Sequence, residues 1–182
     1  MKLPEPVRLV GPPGVMRRLA LHRESAIRLM HAGLAGRLYT DGQREMVELT
    51  RVEELGARPL KDLAELPPAL LLRVGAPEPD TDPENNRGWK GWYQDAPREE
   101  QLAGVTRRWP VSHAEVLIGQ LLVVSVSGFI VEVGRIESAT QYSSDLTWAF
   151  VIRDADDAEA AAWRNIRTRQ PGGGGVLRHG LD

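Results

Sequence analysis

Arg23, Glu24, Ser25 and Arg28 are the residues whose types and spacing could do chemistry together. With about 100° of turn per residue, Glu24, Ser25 and Arg28 share one side of a helix predicted over residues 23–32, together with His31, and Arg23 stands at its start. Ala26, Ile27, Leu29 and Met30 share the other side, which would be buried. An arginine can donate two hydrogen bonds to guanine, a glutamate can accept from cytosine, and a short serine adapts to either. Arg37 and Arg44 flank Asp41-Gly42, and cations so placed suit phosphate oxygens beside a helix.

The elements that must position these groups are written locally. Gly11-Pro12-Pro13-Gly14 breaks the chain, and Pro13 can sit in the first turn of a helix because its missing N–H costs nothing there. Val15 and Leu19 then lie four apart. Gly33 follows the second helix at the position of a left-handed stop. Asp41-Gly42 between two strand-like runs predicts a hairpin. Thr50-Arg51-Val52-Glu53 has the spacing of a capping box and predicts a third helix ending at Gly56. The predicted order is helix, helix, hairpin, helix.

The run from Gly14 to Leu29 resembles the opening of MerR-type and excisionase-type winged helix-turn-helix domains. Gly33-Leu34-Ala35-Gly36-Arg37 is similar to their approach to the wing. The resemblance covers about residues 7–58. His22 stands where those families usually carry Ser or Thr. It implies double-stranded DNA as partner, with Arg23, Glu24, Ser25 and Arg28 on the recognition helix and Arg37 and Arg44 on the wing. A helical hairpin used only for docking or dimerising is the competing reading.

Beyond this unit, residues 57–68 read as a connector with a short helix before Pro67-Pro68. Strands are predicted near residues 69–74, 121–127, 129–137 and 146–153. Residues 77–86, rich in Pro, Asp, Glu and Asn, read as an exposed loop. Helices are predicted near 98–103, from a capping box at Ser112–Glu115 to Gly119, and over 156–168. The expected fold class is α+β: a winged helix-turn-helix over residues 1–62, then a small antiparallel β-rich domain with flanking helices over 69–170. A flexible tail is expected over 171–182. The hairpin from Gly119 to Ile136 is similar to the central hairpin of PUA-like barrels, the group with the ASCH and EVE domains, although Gln120 replaces their usual Asp. That resemblance implies a base-holding pocket. Trp89, Trp92, Tyr93 and Trp109 are its candidates for ligand or base stacking, with core packing as the alternative.

Composition excludes several classes of chemistry. With no cysteine there are no disulfides, thiolate metal sites or cysteine nucleophiles, as suits a reducing cytoplasm. His113-Ala114-Glu115 matches half of a zinc deaminase signature, but the Pro-Cys-x-x-Cys half is absent. The spacing of His22, His31, His113 and His179 suits no zinc site. Gly172–Gly175 lacks the Lys-Ser/Thr of a phosphate loop. No Ser-His-Asp set is visible, so binding rather than catalysis is expected, with no cofactor or metal. Nothing resembles a signal peptide or a membrane span. Residues 1–62 hold eleven basic and eight acidic residues, a net +3, whereas the remainder holds twelve and seventeen, a net −5. A basic first third with an acidic remainder fits an anion-binding module joined to a part with another task. The expectation is a homodimeric DNA-binding regulator whose second part dimerises, senses a small molecule or nucleotide, or both. A PUA-like reader of modified nucleic acid, a nucleotide-processing enzyme and an excisionase-like accessory factor remain the alternatives.

Overall fold

Glycine, proline and one tight hairpin set the boundaries of the first unit. The computed structural model describes residues 7–81, 84, 87–169 and 174–181. Strand β1 (Leu9–Val10) leads into helix α1 (Pro12–Leu19), which has proline in its first turn as expected. Ala20, in the left-handed region, turns the chain into α2 (Arg23–His31). Strands β2 (Tyr39–Asp41) and β3 (Arg44–Glu48) form the predicted hairpin, and α3 (Leu49–Gly56) follows. The turn residues are Gly42-Gln43, one place later than expected. Gly42, at φ 59°, takes the first turn position, where a side chain would be strained. Strand β1 joins the hairpin in the order β1-β3-β2, all antiparallel.

Helix α3 corrects the capping box expected at Thr50–Glu53. It starts at Leu49, with Glu48 before it and no side-chain cap. The Leu49 N–H instead donates to the Arg8 carbonyl at 2.8 Å. A backbone neighbour thus satisfies a donor that a capping side chain would otherwise take.

A seven-stranded sheet follows. Its strands are β4 (Leu60–Lys61), β5 (Ala69–Val74), β8 (Leu121–Val126), β9 (Phe129–Gln141), β10 (Trp148–Asp154), β11 (Arg167–Thr168) and β12 (Val176–His179). The order is β12-β5-β8-β9-β11-β4, with β10 on β9. A small ladder of β6 (Glu78–Pro79) and β7 (Trp89–Lys90), helix α4 (Arg98–Val105) and helix α5 (Ala158–Trp163) lie outside it. The sheet is mixed, not antiparallel throughout, because β5 pairs β8 in parallel and β4 pairs β11 in parallel. A parallel pair needs a crossover, and residues 75–120 with α4 supply it. Strand β8 is buried at every position, which explains why it is apolar throughout except at Ser125. Ser127 and Gly128 both have positive φ, as the tight turn into β9 requires. The molecule is therefore a mixed α+β protein with five α-helices among the described residues. None of these is long and apolar enough to cross a membrane.

Four local expectations are corrected by pairing partners distant in sequence. Residues 112–119 form one 3-10 turn, Ala114–Leu117, behind a left-handed His113, with no capping side chain. The chain is recaptured at once, because the Gly119 N–H donates to the Ile136 carbonyl at 2.8 Å. Helix 156–168 shortens to α5, capped by Asp157, which accepts from the Ala160 N–H at 3.0 Å. Asn165 is left-handed, and residues 167–168 become a strand between β9 and β4. The loop over 77–86 contains β6, and its Asp80 pairs with Arg87 out of solvent; residues 82–83 and 85–86 lie outside the described residues. The expected flexible tail holds β12 on the edge of β5, with His179 edge-on to Trp163 at 6.0 Å. Residues 171–173 of that tail, and Gly172 and Gly173 of the glycine run, also lie outside the description.

The first unit and the sheet share a core. Phe129, the first residue of β9, is 1% exposed and packs among Val15, Leu19, Ala26, Leu29 and Val52. The Arg58 guanidinium donates to the Ile130 carbonyl at 3.2 Å, and that of Arg167 to the Leu19 carbonyl at 3.3 Å. Strand β4, from the segment expected only to connect, is itself an edge of the large sheet.

Candidate nucleic-acid interface and ligand cavity

Helix α2 buries Ala26, Leu29 and Met30 and half-buries Ile27, so its other face meets solvent. Glu24 and Arg28 are exposed on that face, and Arg23 is exposed at the start of the helix. Ser25 is half-buried, and its carbonyl accepts from the Ser127 hydroxyl at 2.9 Å. The β8–β9 turn thus rests on the first turn of α2. His22 precedes α2 without a side-chain hydrogen bond to it, so the helix lacks the cap that Ser or Thr would provide.

The β2–β3 hairpin is held beside this face. His31 Nε2 lies 2.9 Å from Glu45 Oε2, joining the last turn of α2 to β3. The Tyr39 hydroxyl donates to Glu48 at 2.9 Å, and this bond raises the pKa of the phenol. Arg37 lies over the Tyr39 ring at 5.6 Å, and Arg44 is exposed at the turn.

Charge pairing divides the arginines. Arg51, Arg87, Arg98, Arg108, Arg135 and Arg164 all form ion pairs. Arg17, Arg23, Arg28 and Arg44 form none among the described residues. All four are exposed and can meet an anionic partner.

The four aromatic candidates do not converge. Trp92 is 2% exposed in the sheet's core, with Nε1 donating to Gln94 at 3.2 Å, so it offers no face to a ligand. Tyr93 is exposed where the units meet, next to Gly33 and Gln94, whose N–H donates to the Ala32 carbonyl at 2.9 Å. Trp89 lines a cavity of about 570 Å³ between α4 and β10. Trp109 lines a second recess of about 340 Å³ and donates through Nε1 to the Val105 carbonyl at 2.7 Å.

Close backbone approach shapes the cavity. A Cβ on Gly104 would lie 2.5 Å from the Trp89 ring and 2.6 Å from the Gly91 carbonyl oxygen. Only glycine lets α4 sit this near β7, and so sets the position of Trp89. Arg87, whose side chain is 6% exposed, is neutralised by Asp80 and also donates to the Ala103 and Gly104 carbonyls. Arg87 and Arg107 line both recesses. Arg107 was not anticipated, because nothing local separates it from surface arginines. The only sequence signal is the Arg107-Arg108 pair just beyond α4.

No protein-family model, curated protein or solved structure matches this chain. The assignment of function therefore rests on these two surfaces.

Proposed function

We propose that the protein is a sequence-specific DNA-binding regulator, with a winged helix-turn-helix formed by α1, α2 and the β2–β3 hairpin. The supporting observation is the exposed side of α2, where Arg28, and Arg23 at the helix start, form no ion pair among the described residues and the hairpin presents the exposed Arg44. In this reading α2 enters the major groove, Arg23, Glu24 and Arg28 meet base edges, and Arg37 and Arg44 meet the backbone. Ser25 acts through its backbone, anchoring the helix to the β8–β9 turn. One small winged unit covers a short site, so two copies reading two half-sites complete the proposal.

Selection of bound sequences from a random duplex library, with the full chain, is the direct test. Enrichment of an inverted repeat is expected, and absence of any enrichment refutes the proposal. Arg28→Ala is expected to lose roughly tenfold or more in affinity for the selected site and to relax base choice at one position. Arg44→Ala is expected to weaken all sequences alike and to reduce the slope of log K against log salt by about 1. An Arg28→Ala protein with unchanged gel-shift affinity and base preference would show that α2 is not the reading element.

The cavity beside Trp89 supports the second half of the reading, in which the sheet senses a small molecule. Strand β9 reaches from Phe129, in the core behind α2, to its pairing with the cavity-lining part of β10. Occupancy of the cavity could therefore bias the seat of α2.

A further inference from the structure

The larger cavity has a polarity that its residues define. Its walls are apolar at Trp89, Leu102, Phe150 and Ile152. Glu99 and Glu100, in the first turn of α4, stand at one end, and Arg107, just past the last turn, stands at the other. Eight residues of helix-like spacing separate these ends by about 12 Å.

The cations around the two recesses differ in their availability. Arg87 is neutralised by Asp80, Lys90 lies 3.5 Å from Glu78, and Arg108 is bracketed by Glu84 at 2.7 Å and Asp145 at 3.0 Å. The Arg108 guanidinium also stacks on Tyr142 at 3.8 Å. Arg73 has interactions of its own. Arg107 is half-buried, lines both recesses and forms no ion pair among the described residues. A half-buried guanidinium facing an apolar cavity gains most from an anion that brings its own apolar body.

We infer that the cavity between α4 and β10 binds a small organic anion, its planar apolar body against Trp89 and Ile152 and its carboxylate or phosphate on Arg107. Glu99 and Glu100 repel the anionic group from the opposite end and so fix one orientation. This inference deepens the sensing half of the proposed regulator by naming the class of molecule sensed. It does not depend on the DNA-reading half.

Calorimetry on the full chain, without DNA, tests it with three probes: 2-naphthoate, the uncharged 2-naphthylmethanol, and adenosine monophosphate. At least one anion is expected to bind roughly tenfold or more tightly than the alcohol. Arg107→Gln should reduce that anion to the level of the alcohol and leave circular dichroism and alcohol binding unchanged. The tighter of the two anions identifies the source, a free carboxylate or a nucleotide. Failure of both anions to bind, an alcohol binding as tightly as they do, or indifference to Arg107→Gln would each overturn the inference. Such a failure leaves the library selection untouched, and failure of that selection leaves this site standing, so the two can be told apart.

Discussion

Phe129→Ala is expected to destabilise the whole molecule by about 3–5 kcal/mol, the range for emptying a fully buried aromatic site. Phe129 belongs to β9 by sequence but fills the core of the helical unit, against Val15, Leu29 and Val52. Its loss leaves a cavity behind α2 and removes the largest apolar tie between that unit and the sheet. The consequence extends to cooperativity. A chain divided near residues 62–69 into separate domains would melt in two steps, whereas a shared core predicts one. Urea denaturation followed by tryptophan fluorescence and by far-ultraviolet circular dichroism should give coincident transitions in the parent protein. The fluorescence reports the sheet, and the circular dichroism weights the helices. Phe129→Leu should recover most of the loss, because an apolar side chain still fills the site. A change under about 1 kcal/mol for the alanine variant, or two separated transitions in the parent, would show that the units do not share a core energetically. If α2 reads DNA, the alanine variant should also bind its site more weakly under conditions where it remains folded.

Arg98→Ala is expected to be the second most damaging change, with a cost that depends on pH. Glu132, on β9, is 8% exposed. Arg98 meets its carboxylate at 2.9 and 3.3 Å, and the Val133 N–H donates to it at 3.2 Å. Burial raises the pKa of Glu132 above the ordinary glutamate value, and Arg98 and the Val133 N–H only partly offset it. Ionised Glu132 therefore opposes folding. The stability associated with its protonated form is present below the ordinary glutamate pKa and is lost as pH rises through the higher folded value. Removing Arg98 removes the main opposing influence, so the folded pKa rises further and the window widens. At neutral pH the cost should be roughly 1–3 kcal/mol, the penalty for a buried charge that loses a partner, moderated because Arg98 itself is half-exposed. Asp154, the other partner of Arg98 at 2.5 Å, is mostly exposed and is left in water. Denaturation at pH 7 and at pH 4 should show the penalty shrinking in acid. A penalty equal at both would sink this account, and Glu132→Gln in the Arg98→Ala background should relieve most of it at pH 7.

The elements that were legible are those whose cause lies within a few residues. The amphipathic period of residues 23–31 yields α2 and its exposed face. Gly42 and Ser127-Gly128 carry the positive φ that their turns demand, and β2–β3 and β8–β9 follow. The apolar run of β8 marks a strand buried on both faces. The misread segments owe their structure to distant partners. Residues 167–168 and 176–179 are strands because β4, β9 and β5 offer them edges. Leu49 opens α3 because the Arg8 carbonyl takes its N–H, and His113 precedes one turn only because β9 recaptures the chain after it.

The same division holds for the candidate sites. Helical period and turn chemistry by themselves placed Glu24, Arg28 and Arg44 in solvent, on one helix and its neighbouring hairpin. Which arginines keep their charge unpaired was decided only when surfaces met, because pairing depends on where acids such as Asp80 and Asp145 arrive. Trp89 and Trp92, three residues apart, separated in the same way. Trp92 was buried in the sheet's core, and Trp89 was left lining a cavity by the close approach of Gly104. Local geometry is encoded by neighbours along the chain. Burial, charge compensation and the walls of a cavity are properties of elements brought together from 89, 107 and 150, and no local window of sequence contains them.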